Sequence, residues 1–194
     1  MDKIQHHQDI CKELHDIYLK KNADYGDSFR NLFKECGMVY AYGHLKEKLN
    51  RVKSLMRDEN KVKGESMRDS LIDLANYAIL TAIEVNKQAR EMDKNDKVEP
   101  RKLHRHQTYC NSIHSIYMVL GSGLASSYDG IYTKRVMRFA YSVLLNIMDD
   151  IRPLIFKPIE DQHVIMHLYD NLQHLSFYTI MTIVELDAQK EAEQ

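Results

Sequence analysis

The chain has 194 residues, room for one ordinary domain or two small ones. Only seven Gly and three Pro are present, too few for the turns of a many-stranded sandwich or barrel, so long helices with few loops are expected. A hydrophobic content of 44% excludes disorder, and a net charge of −1 gives no general pull toward duplex nucleic acid or an anionic membrane.

The first helical pattern carries Ile4, Ile10, Leu14, Ile17 and Tyr18 and is expected to stop in the turn-rich stretch from Lys20 to Ser28. A second runs from about Asn31 to Arg57, with Gly37 and Gly43 as weak points or a break. Asp58 to Gly64 reads as a polar loop, and a third helix covers Glu65 to about Gln88. Residues 89–103 then form a charged linker, mostly Lys, Arg, Glu, Asp and Asn. A fourth helix is expected from about His104 to Leu120, a loop from Gly121 to Gly130, and a fifth helix from about Tyr132 to Asp150. Pro153 and Pro158 punctuate the next connection, and the last helix runs from about Asp161 to Ala188. Cys11, Cys36 and Cys110 form no Cys-x-x-Cys pair, so neither a disulfide framework nor a zinc knuckle is indicated. With no 18-residue apolar run, cleavable leader or lipidation motif, a soluble cytoplasmic all-α protein is expected.

The order of three helices, a linker and three helices can be tested for repetition. At a shift of 99, residues 7–18 lie over 106–117 with six identities in twelve: His7/His106, Gln8/Gln107, Cys11/Cys110, His15/His114, Ile17/Ile116 and Tyr18/Tyr117. Chance would give roughly one. At a shift of 101, residues 65–85 lie over 166–186 with seven identities, among them Asp69/Asp170, Leu74/Leu175, Tyr77/Tyr178 and Glu84/Glu185. Two matches in the same order argue for a helical bundle of two tandem, related three-helix halves, a fused pseudo-dimer. Residues 1–88 make the first half and 104–194 the second.

On the third helix Glu65, Asp69, Asp73 and Asn76 share about a quarter of the circumference at ~100° per residue. The same stripe continues as Leu80 and Ile83, so it is expected to point into the bundle with its acidic end lining a cavity. Buried carboxylates one turn apart repel and need a cation, Lys or Arg, or Mg²⁺ held by hard oxygens. The second helix offers Glu47, Lys48 and Arg51, so the two helices have the makings of a metal–phosphate site. The plainer reading is that Glu65 and Asp69 serve the helix N-terminus and the bases merely pair with acids. The second half keeps the apolar spacing but reads Met166, Asp170, His174 and Phe177 along the same stripe, as expected of a structural copy with a dead site.

The residues Asp24-Tyr25-Gly26-Asp27-Ser28-Phe29, Glu47-Lys48-x-x-Arg51 and Glu65-Ser66-x-x-Asp69-x-x-x-Asp73-Leu74-Ala75-Asn76-Tyr77-Ala78 resemble the phage nucleotide modification associated domain 1 family. That family is similar to the all-α nucleotide pyrophosphohydrolases, the superfamily of MazG and the dimeric dUTPases. The resemblance covers roughly residues 10–86. It implies a nucleoside triphosphate or modified nucleotide as substrate, cleaved to monophosphate and pyrophosphate with Mg²⁺, for which Mn²⁺ could substitute. Carried over by position, Glu47, Glu65 and Asp69 would hold the metal, and Asp73 and Glu65 would serve catalysis. Lys48 and Arg51 would hold phosphate, while Tyr25, Asp27 and Asn76 would contact the nucleotide. There are two departures from the pattern: Lys48 and Arg51 follow Glu47 where the superfamily supplies a second acid, and His44 stands where an Arg is expected.

A nucleotide-binding protein without turnover and a helical interaction module are the alternatives, and a homo-oligomer is compatible with each. The stripe His163, His167, Asp170 and His174 is read as half-buried histidines at the junction of the halves rather than a transition-metal site. Cys11 and Cys110, equivalent in the repeat, are read as small core residues.

Overall fold

Asp2 opens the first helix. Its carboxylate accepts from the amides of Ile4 and Gln5, and α1 runs Lys3–Tyr25. The helix therefore passes through the expected stop and ends at Gly26, whose φ of 61° suits a residue without a Cβ. The computed structural model describes residues 1–57, 66–92, 102–128, 136–157 and 161–193, with the side chains of 25, 89–92, 102–104, 121–128 and 136 left out.

Helix α2 (Ser28–Met56) is interrupted at Gly37, where φ is 61° and ψ −150°, while Gly43 is passed without a break. A Cβ at Gly37 would meet nothing within 4 Å, so the backbone angles, not crowding, require the glycine there. Helices α3 (Met67–Met92) and α4 (Lys102–Tyr128) both reach into the expected linker. The largest departure lies in α4. The segment expected as a loop from Gly121 stays helical through Tyr128, although each glycine in a helix costs about 1 kcal/mol relative to alanine. Helix α5 (Val136–Ile151) is followed by a 3-10 turn, Arg152–Leu154, that takes Pro153 at its start. Helix α6 (Gln162–Ala192) is capped by Asp161, which accepts from the His163 amide at 2.8 Å. The expected turns at Asp58–Gly64, Asp129–Gly130 and Pro158 lie outside the described residues. All regular structure among the described residues is helical, and no helix there is long and apolar enough to cross a membrane.

Helix α3 packs most extensively on α6. Arg68, in the first turn of α3, reaches Asp187 near the end of α6, so the two run antiparallel. Both helices bury small residues, Ala75, Ala78 and Ala82 on α3 and Ser176, Thr179 and Thr182 on α6. Their hydroxyls turn back onto carbonyls of their own helix, at 2.8 Å for Ser176 to Leu172, 2.6 Å for Thr179 to Leu175 and 2.7 Å for Thr182 to Tyr178. The polar atoms are thus satisfied and the backbones can approach closely. Around them Leu71, Leu74, Ile79, Leu172, Leu175, Ile180 and Ile183 are fully buried, each stabilising the fold by about 1.5–3 kcal/mol. Among the described residues, the main packing partnerships of the six α-helices keep their counterparts when α1, α2 and α3 are exchanged for α4, α5 and α6.

Helices α1 and α4 meet through histidines. His7 Nδ1 lies 3.1 Å from His114 Nδ1, and His15 Nδ1 lies 3.3 Å from His106 Nδ1, so these helices are antiparallel too. Each pair equals the other shifted by 99 residues. The Tyr117 ring stacks on His7 at 4.1 Å between centroids, and Tyr18 stacks on His106 at 4.4 Å. Cys11 Sγ is 3.6 Å from His7 Nδ1, and Cys110 Sγ 3.5 Å from His106 Nδ1. Cys11 and Cys110 are buried as expected, and burial pushes both thiols up, Cys11 to about 12. The histidine stripe of the last helix does not make this junction: His163, His167 and His174 are exposed, because α6 turns Leu168, Leu172 and Leu175 inward instead.

Burial, with the neighbouring histidine second, holds His7 and His106 down to about 3. Below pH ~6.5 the unfolded chain therefore binds protons at these two positions that the folded chain refuses. Their stabilisation is fully present above pH ~6.5 and is lost by up to about 1.4 kcal/mol per pH unit for each ring as the pH falls toward 3. Urea unfolding at pH 7, 6 and 5 should show this decline, and His7→Phe or His106→Phe should each flatten it. An equally steep profile in both variants would contradict the assignment.

Candidate functional site

Three helices converge on one carboxylate. Asp73 of α3 accepts from Lys21 of α1 at 2.8 Å through Oδ1 and from Lys48 of α2 at 3.2 Å through Oδ2. Lys48 is largely buried and Lys21 mostly exposed. Burial alone would lower the Lys48 ammonium, but the hydrogen bond and charge of Asp73, with Glu47 and Tyr77 behind them, raise it above its ordinary value. Lys48 is therefore firmly cationic at neutral pH.

Asp73 sits on the wall of a cavity of about 440 Å³, within the usual range for small-ligand sites. Along α3 the wall continues through Asn76, Tyr77, Leu80, Ile83, Glu84 and Lys87, so the stripe read from the sequence does face inward and does turn apolar. Helix α1 adds Ile17, Tyr18, Lys21 and Asn22; the α1–α2 corner adds Gly26, Asp27, Ser28, Phe29 and Arg30. Arg105 of α4 closes it from the second half. Five basic side chains, Lys21, Arg30, Lys48, Lys87 and Arg105, face three carboxylates, Asp27, Asp73 and Glu84. Arg30 Nε stands 3.8 Å from Glu84. Aromatic rings support the wall: Tyr77 stacks on His44 at 4.7 Å, and Phe29 lies 5.8 Å from Tyr77. His44, in the position where an Arg was expected, is thus a packing ring behind Tyr77.

Of the residues read from the sequence, Lys48, Asp73, Asn76 and Asp27 are brought together here. Glu47 and Arg51 are not part of the wall. The Glu47 side chain is 63% exposed, with Lys48 Nζ at 3.6 Å and His44 Nδ1 at 3.8 Å. Asp69 is also off the wall and closes a capping box with Ser66. Its Oδ2 accepts from the Ser66 amide at 2.9 Å and hydroxyl at 2.8 Å, while its own amide donates to Ser66 Oγ at 3.1 Å. Those bonds, the backbone one first, hold the Asp69 carboxyl below the usual carboxylate range. Glu65 and the Tyr25 side chain lie outside the described residues.

The described carboxylates do not fit a shared divalent cation. Asp73 is occupied by two ammonium groups, Asp69 by the helix cap, and Glu47 stands in solvent. Among the described residues no three His, Cys, Asp or Glu side chains are placed to hold a metal. Lys21, Arg105 and the histidine behind Asn76, His106, carried no sequence signal for the site. They come from helices whose charges read locally as solvated.

Among the described residues, an all-helical bundle thus carries a basic, aromatic-walled cavity of small-ligand size. Residues 21–85 match the model of the nucleotide modification associated domain 1 family, and the chain is similar to that family over this stretch. The matched segment spans Lys21 to Val85 and so contains most of the cavity wall. No curated protein and no solved structure matches the chain.

The Asp73 hub makes unequal demands on its partners. Asp73→Ala leaves the largely buried Lys48 with only the exposed Glu47, 3.6 Å away, and should lower the unfolding free energy by about 1–3 kcal/mol. Lys21→Ala removes a solvent-screened partner and should cost no more than about 1 kcal/mol. Urea denaturation at pH 7 checks the ranking, and an equal loss in both variants would refute it.

Proposed function

We propose that the cavity binds a nucleotide, with its phosphates toward Lys21 and Lys48 and its base along Asn76, Tyr77 and Leu80. The observation that carries this reading is the combination, in one cavity, of five basic side chains against three carboxylates with an amide and aromatic wall one turn along α3 from Asp73. An anion arriving there would compete with Asp73 for the two lysines, which hold ready-made donors in place. The match of residues 21–85 to a nucleotide modification associated family supports a nucleotide-related role.

Binding without turnover is favoured over Mg²⁺-dependent pyrophosphohydrolysis by the state of the acids. The metal ligands implied by the resemblance are Glu47, Glu65 and Asp69; of the described acids, Glu47 lies against Lys48, Asp69 caps α3, and the catalytic candidate Asp73 is held by Lys21 and Lys48. The second half is read as a degenerate, structural copy with no acidic site of its own, lending only Arg105 to the cavity wall. This is supported by histidine, tyrosine and cysteine contacts that recur at a spacing of 99 residues, and by packing partnerships that survive exchange of the halves.

The test is a panel of ribo- and deoxynucleoside triphosphates, with and without Mg²⁺, followed by thermal unfolding and by release of pyrophosphate. One nucleotide class should stabilise the protein by about 2.7 kcal/mol at a hundredfold excess over Kd. Lys48→Ala should abolish that shift, and no pyrophosphate should appear. Steady pyrophosphate release would make the protein a hydrolase. Stabilisation by no nucleotide at all would overturn binding and leave a helical interaction module.

A further inference from the structure

Basic side chains line the cavity at two levels of α3. At the first, Asp73 holds Lys21 and Lys48. At the second, eleven residues and about 16 Å of helix axis further on, α3 contributes Glu84 and then Lys87. Arg30 of α2 joins this second level, its Nε 3.8 Å from Glu84, an ion pair beyond hydrogen-bond reach. The Tyr18 phenol stands in the field of both, since burial and Glu84 raise it while Arg30 lowers it. Between the two levels α3 lines the cavity with uncharged residues, Tyr77, Leu80 and Ile83 among them.

The repeat shows what is particular about the second level. In the other half His6 of α1 pairs with Asp187 of α6 at 3.0 Å, and Arg68 donates to the same carboxylate at 2.9 Å. The position equivalent to His6 is Arg105, 99 residues later, and the position equivalent to Asp187 is Asn86, 101 residues earlier. In the same register Lys87 stands where the second half has Ala188. An acid held by bases on one side is thus answered, on the cavity side, by a neutral amide with Lys87 and Arg105. The first turns of α4 are pinned there by His106, whose Nε2 lies 3.1 Å from Asn76 Oδ1 and whose ring stacks on Tyr18 at 4.4 Å. Lys87 is buried and Arg30 largely so, and cations screened from water attract an arriving anion more strongly than exposed ones.

We infer that Arg30, Lys87 and Arg105 form a second anion subsite, so that the cavity suits a nucleotide carrying a further anionic group, phosphate or carboxylate, at the end away from Lys48. The inference rests on the nucleotide reading above and narrows its ligand class. A triphosphate chain is shorter than about three turns of helix, so the phosphates of a plain nucleotide reach one level only. The base would lie along the uncharged stretch between the levels. The planar fork of an arginine matches either oxyanion with paired hydrogen bonds. Because Arg105 comes from the second half, the site is shared by both halves.

Titration calorimetry on the full chain would compare probes with one anionic end and with two. Nucleoside 5′-monophosphates are set against 5′-phosphorylated dinucleotides of the same bases, which add a phosphodiester. Uridine triphosphate is set against 5-carboxyuridine triphosphate, which adds a carboxylate on the base. In one of these comparisons the two-anion probe should bind about tenfold more tightly than its plain partner, and which one does so separates phosphate from carboxylate. Arg105→Ala should reduce that probe to the affinity of its plain partner, whereas Lys48→Ala should weaken both and keep their ratio. Arg105→Lys, which keeps the charge and loses the fork, should retain part of the advantage and guards against a folding defect in the Ala variant. Plain nucleotides bound with no advantage for either two-anion probe would overturn the second subsite and leave the nucleotide reading in place. An advantage that survives Arg105→Ala would overturn it as well. If no probe binds, the nucleotide reading falls and the subsite with it.

Discussion

The close antiparallel contact of α3 with α6 is the constraint on which the other helices depend. Both helices bury small residues, alanines on α3 and serine and threonine on α6, and the hydroxyls of the latter are satisfied within their own helix. With the two backbones drawn together, each helix has one side committed to the other and a second side open to further neighbours. Helices α2 and α5 cover them, and α1 and α4 pack against each other across the assembly.

Helix α3 uses its remaining face differently from α6, and the difference creates the cavity. On α3 that face carries Asp73, Asn76, Leu80 and Ile83, and it is matched by lysines from α1 and α2. On α6 Phe177 is buried and packs near Tyr117 at 6.4 Å between ring centroids. Electrostatics and packing are therefore traded position by position. Where α3 keeps an amide and a carboxylate, space and charge are left for a ligand; where α6 carries Phe177, an aromatic ring fills the position.

Much of the architecture was legible in the sequence because helical periodicity is a local signal. The inward stripe on the third helix was readable from spacing alone, since carboxylates followed at the same angle by Leu80 and Ile83 cannot all face solvent. The continuation of α4 through Gly121 was not readable, because residues rich in Gly and Ser are poor helix formers in isolation. Asp69 was misleading for a different reason. The pattern that suggests a metal ligand also satisfies a capping box, and the nearby Ser66 decides which bonds it makes. Lys21, Arg105 and His106 were hidden because their meaning depends on which helix lies opposite, and charge patterns along one helix carry no such information.

The beginning of α1 is tied to the end of α6. Lys3 Nζ lies 2.9 Å from Glu185, His6 Nε2 lies 3.0 Å from Asp187, and Arg68 joins Asp187 to Glu13 of α1. The first and last helices are thus held side by side, and the fold is topologically close to a ring. In a ring the order of the two halves is set only by where the chain is opened. A short bridge between the present ends, with a new opening among residues 93–101, would reverse that order and leave each of these interhelical contacts in place.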